Sequence, residues 1–189
     1  MPNGENPEEL ANSALHCAEM NYVGSFMFNK AAERLRGFGR AGLPAIESLI
    51  FRDVISDCPI DDNAQHARFP GLGDLLTEYF DVIRESGDFS RGAGFMSALH
   101  GGVLIEAVRV ATMVFQYRVP EAVNSVLRRS ENSTHPGVRE IVRWSLSRQA
   151  SEDDAARSDG LYKTSGSRVS IAEEAIMTSQ ATVREGASA

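Results

Sequence analysis

The stretch that decides the fold runs from Val103 to Leu127, VLIEAVRVATMVFQYRVPEAVNSVL. Val103, Ala107, Val110, Val114 and Tyr117 recur at three- and four-residue steps, and Leu104, Ala111 and Phe115 widen the stripe. Such a stripe predicts a central helix packed on more than one side, since a surface helix needs only a narrow apolar face. Pro120 then opens a second helix carrying Ala122, Val123, Val126 and Leu127. Proline suits a helix start, where its missing N–H would have had no partner.

Working outward, the same arrangement recurs. Lys30-Ala31-Ala32-Glu33 stands 11 residues before Pro44, and Glu106-Ala107-Val108-Arg109 stands 11 before Pro120, an offset of 76 residues or two periods of 38. Val108-Arg109 recurs 30 residues later as Val138-Arg139, where Pro136 opens a helix with Val138, Ile141, Val142 and Ser145. Asn6-Pro7-Glu8-Glu9 reads as a capped helix start, and the apolar spacing continues from Leu10 to Tyr22 and Phe26, with Gly24 as an interruption. A second segment carries Phe28, Ala31, Leu35 and Phe38, a third Leu43, Ile46, Leu49 and Val54, and another Leu72, Leu75, Leu76, Tyr79 and Ile83. The pattern is interrupted by a polar loop over Ser56–Gly73 and by a break over Ser86–Gly94. No stretch alternates as a strand should, so the expectation is all-α, with six to eight short helices in a domain over residues 1–150. Residues 151–189 are too polar to offset their chain entropy and read as a flexible acidic tail. Ser170 and Glu173 have capping-box spacing there and predict a short helix over 170–178.

The stretches Lys30–Ile50 and Glu106–Leu127, with Val138–Leu146 as a partial third, resemble the HEAT and HEAT-like repeats, in which an Ala- and Arg-marked helix is followed by a turn and a Pro-started helix. The resemblance covers about half the chain and implies a solenoid of stacked helix pairs that offers a curved face to partners. Residues 54–102 depart from the pattern, so the number of repeats there stays open; the alternative is an irregular helical bundle.

Composition narrows the function classes. No run approaches the ~20 apolar residues of a membrane span, and the N-terminus is polar and acidic where a secretory signal would be basic and then apolar. Cys17 and Cys58 form no Cys-x-x-Cys pair, so neither a disulfide framework nor a structural zinc is expected, and a cytoplasmic-type compartment follows. Charge is unevenly spread: residues 1–90 hold 7 basic and 15 acidic side chains, residues 91–150 hold 8 and 4. A basic third quarter suits electrostatic capture of an acidic partner.

Arg109, Arg118, Arg128, Arg129, Arg139, Arg143 and Arg148 make up that quarter, and Arg128, Arg129, Arg139 and Arg143 are the expected partner-binding residues. The plainer reading gives Arg128 and Arg129 to a helix dipole and Arg109 and Arg139 to a structural ladder at equivalent repeat positions. The expected function is a non-enzymatic scaffold or protein-binding module. No cofactor, metal or catalytic residue is assigned.

Two other readings compete. One is an enzyme on an all-α or hot-dog-like fold with its site near His100-Gly101-Gly102: Leu99-His100-Gly101-Gly102 is similar to the His-Gly-Gly signature of hot-dog-fold acyl-CoA thioesterases, whose form would imply long strands and a carboxylate where Arg109 stands. A nucleic-acid role, as in the HEAT-like DNA glycosylases, is opposed by the acidic total charge and by basic-aromatic interleaving limited to Arg143 and Trp144. Asp57, Asp61, Asp62 and His66 match no calcium loop and read as a solvated loop.

Overall fold

The computed structural model describes residues 4–16, 20–23, 26–55 and 69–152, and only the backbone over 20–23 and 26–28. The chain divides into Met1–Gln149 and Ala150–Ala189; the description concerns the first unit. The loop acids with His66, both cysteines, the expected tail and its 170–178 helix lie outside the described residues.

The architecture is all-α with one short hairpin. Its elements are α1 (Pro7–Leu15), β1 (Met20–Val23), β2 (Phe26–Asn29), α2 (Lys30–Arg36), α3 (Leu43–Leu49, widening into a π turn over Ile50–Ile55), α4 (Leu72–Ser86), α5 (Phe89–Ser97), α6 (Gly101–Val114) and α7 (Glu121–Ser130). A further helix, α8, spans 136–152. Among the described residues no helix is long and apolar enough to cross a membrane.

Local chemistry sets the boundaries. Asn6 caps α1 by accepting the Glu8 N–H at 3.0 Å, with Pro7 in the first turn. Asn29 caps α2 by accepting from the Ala32 N–H, and its amide donates to the Ala14 carbonyl at 2.7 Å, tying α1 to α2. Pro44 lies in the first turn of α3, and Pro120 precedes α7.

Three expectations need correction. The first helix does not run on to Phe26: it stops at Leu15, and Met20–Val23 pairs antiparallel with Phe26–Asn29 in the register Val23↔Phe26. Tyr22, Val23, Phe26 and Phe28 have strand propensity, a local signal that the helical spacing hid. The break over Ser86–Gly94 contains most of α5. Gly92 and Gly94 dilute its pattern, yet at buried Gly92 a Cβ would lie 3.1 Å from Ile83 Cγ2, so close packing asks for glycine there. And α6 ends at Val114, because Gln116 and Tyr117 turn left-handed at φ 51° and 62°.

Helices two apart in sequence are neighbours and run parallel. Arg36 at the end of α2 meets Glu85 near the end of α4. Gly73 and Arg84, at the two ends of α4, meet Glu106 and the Val114 carbonyl, early and late in α6. Gly137 faces Ile105 while Ser145 meets Thr112, which places α8 parallel to α6. In a second row α5 and α7 run parallel, Gly92 and Ser97 of α5 facing Val123 and Arg129 of α7, and Glu47 ties α3 to Arg91 of α5. The core lies around α4, whose Leu75, Leu76, Tyr79, Phe80 and Ile83 are fully buried.

Candidate functional site

The site is built from arginines and what they touch. Up to Arg109, every arginine in the described residues has a carboxylate partner. Arg34 pairs with Glu5; Arg36 with Glu85 and, at 3.3 Å, Asp81; Arg40 with Asp88 at 2.6 Å; Arg52 with Asp53 at 2.7 Å; and Arg84 with Asp81 at 2.5 Å. Arg91 grips Glu47 with two hydrogen bonds of 2.8 Å, while the Tyr79 hydroxyl donates to the same carboxylate at 2.8 Å. Arg109 pairs with Glu106, a carboxylate only 2% exposed. The pairs of Arg36 and Arg91 tie helices together, and the Glu47 cluster joins three, whereas Arg52, Arg84 and Arg109 pair within their own helix or turn.

Beyond Arg109 the pattern reverses. Arg118, Arg128, Arg143 and Arg148 are exposed and make neither an ion pair nor a side-chain hydrogen bond among the described residues. The sequence-predicted residues therefore separate. Arg139 spends its guanidinium on the Ser133 and Thr134 carbonyls at 2.8 and 3.0 Å, holding the turn before α8. Arg129 lies 3.5 Å from the Ser97 hydroxyl, and Arg128 and Arg129 occupy the last turn of α7, where the helix dipole favours cations. Arg143 stands on α8 one turn past Arg139. Arg109 and Arg139 form no ladder, for one binds within its own helix and the other its preceding loop.

Two grooves flank α6, and Arg109 lines both. The first, of about 560 Å³, lies between α4 and α6 and is polar, with Asp74, Asp81, Arg84, Glu106 and Arg109 on its walls. The second, of about 470 Å³, lies between α6 and α8 and is largely apolar, with Ile105, Ile141 and Trp144. Trp144 meets the ring of Tyr117 edge-on at a centroid distance of 6.5 Å. A further groove of about 260 Å³ between α2 and α4 is acidic, lined by Glu33, Asp74 and Glu78 beside Arg36. Burial there raises the Glu78 carboxyl to about 7, against the pull of Arg36 and with help from Asp81, Glu33 and Asp74. Its Oε2 lies 3.6 Å from Arg36 Nη1, too far for a hydrogen bond, and has no other hydrogen-bond partner among the described residues.

Sequence reasoning missed both grooves because it read α6 as a stripe for burial alone. Ile105 and Trp144 were the available signal, one off the expected stripe and the other next to an arginine. His100 caps the start of α6 with extended backbone, and Gly101 takes φ +55°, so the Gly-Gly turn opens a helix. Helices α7 and α8 follow it where a hot-dog fold requires long strands, which overturns that fold for this chain. Among the described residues no three His, Cys, Asp or Glu side chains are placed to hold a metal ion. Comparisons with protein-family models, with curated proteins and with solved structures return no match.

Proposed function

We propose that this chain is a HEAT-like helical-repeat module of a cytoplasmic-type compartment that binds an acidic protein partner without catalysis, through the cationic surface of α7 and α8. The observation that carries this reading is the partition of arginine among the described residues: side chains up to Arg109 are engaged by carboxylates, while Arg118, Arg128, Arg143 and Arg148 are held by none there. Uncompensated exposed charge does little for a fold, and it speeds and orients the capture of an oppositely charged surface. The parallel rows support the repeat-like part of the reading, since Pro44 and Pro120 start helices α3 and α7 of one row, two steps apart.

The test is affinity capture from nuclease-treated native lysate with the full chain and with an Arg128→Glu, Arg129→Glu, Arg143→Glu variant. The reading expects a protein retained by the first and lost with the second, at unchanged helicity and melting temperature. Retention by both, or a catch that vanishes with nuclease, contradicts it.

A further inference from the structure

The groove between α6 and α8 is floored by apolar side chains at the edge of the core, Ile105 and Ile141 packing against it while staying partly exposed. Helix α8 packs inward through Val138, Val142 and Ser145, all at most 1% exposed. Ile141 and Trp144 lie off that face, half-buried along the groove, and Trp144 is the chain's one tryptophan. At Gly137 an added Cβ would stand 2.8 Å from Ile105 Cδ1, so any larger residue would crowd the groove wall.

Charge surrounds this apolar floor. Arg109 on the α6 wall has 45% of its side chain exposed beyond its bond to Glu106. Arg148 lies one helical turn past Trp144 on the same stripe of α8, exposed and without an ion pair among the described residues. Among the described residues Glu140 is the one acid lining this groove. Tryptophan, tyrosine and arginine are the residues that dominate binding energy where a partner excludes water around them.

We propose that this groove is a docking site for an acidic polypeptide segment that seats one large apolar side chain against Trp144 and Ile141 and lays flanking carboxylates on Arg109 and Arg148. The inference rests on the acidic-partner reading and adds an apolar anchor to it. Charge complementarity selects the occupant, because Arg109 on one wall and Arg148 one turn along the same stripe of α8 flank the floor, against Glu140.

Trp144 is a built-in reporter, so its emission in the full chain can be titrated with a short Asp- and Glu-rich peptide carrying one central Phe. The expected result is a saturable shift that salt weakens, at least about tenfold weaker when Phe is replaced by Ala or when the protein carries Ile141→Glu. Arg148→Glu should weaken binding several-fold. Ile141→Ala, which only shortens a half-buried side chain, guards against a folding artefact and should also weaken binding, with the far-ultraviolet circular dichroism unchanged. No shift up to about 1 mM peptide overturns the site. Equal binding of the Ala peptide overturns the anchor while leaving the cationic surface standing, and equal binding of a Lys-rich peptide overturns the charge selection. An emission that changes with protein concentration alone assigns the groove to a second copy and overturns the proposal. Lysate capture is read separately, so its failure is distinguishable from failure of the groove.

Discussion

The region α2–α5 and the region α6–α8 use the same side chain for opposite purposes. In the first, Arg36 and Arg91 bind carboxylates of neighbouring helices, and Arg36 alone meets Asp81, Glu85 and, at longer range, Glu78. In the second, the helices are joined by apolar packing and by the buried Thr112 and Ser145 hydroxyls at 2.6 Å, while Arg143 and Arg148 face solvent. An arginine count therefore says nothing about role until each guanidinium's partner is known. Of the acids of residues 1–90, Glu5, Glu47, Asp53, Asp81, Glu85 and Asp88 are counter-charges of arginines.

The comparison can be broken most sharply at Glu47. Replacing it with Ala strands Arg91 and the Tyr79 hydroxyl together, and the expected loss is about 3 kcal/mol, read from the urea midpoint. Next is Glu78, whose carboxyl, raised by burial to about 7, contributes stability fully present below its ordinary 4.5 and lost as pH rises through 7. Glu78→Gln should therefore stabilise the protein at pH 8, on the order of 2 kcal/mol, and change little at pH 4.5. Unfolding curves at the two pH values check the sign. Arg36→Ala, at a partly exposed site, should cost about 1 kcal/mol by the same measurement. Smallest of all, Arg128→Ala and Arg148→Ala should each fall within about 0.5 kcal/mol of the parent in thermal melts.

Much of the fold is legible in the sequence, because buried helices leave periodic apolar spacing and proline marks their starts. Val103 to Val114 and Leu72 to Ile83 are of that kind. The hairpin was hidden because Tyr22 and Phe26 also fit a helical step, and α5 because its glycines, of which Gly92 is closely packed on Ile83, look like a break. The candidate site was less legible. Sequence gives the arginines but not their partners, and the partners separate Arg139, bound to its own turn, from Arg143, bound to nothing among the described residues. The groove floor of Ile105, Ile141 and Trp144 is assembled from two helices that only the parallel packing of α6 on α8 brings together.

The most direct test of the central claim compares two triple variants of the full chain, Arg36, Arg40 and Arg91 to Gln against Arg128, Arg143 and Arg148 to Gln, in melting temperature and in lysate capture. The account predicts that the first set lowers the melting temperature by about 5 °C or more, and that the second leaves it within about 2 °C while losing the captured partner. A second set that unfolds the protein, or one that melts and captures like the parent, would contradict the division between arginines that hold the fold and arginines that face a partner.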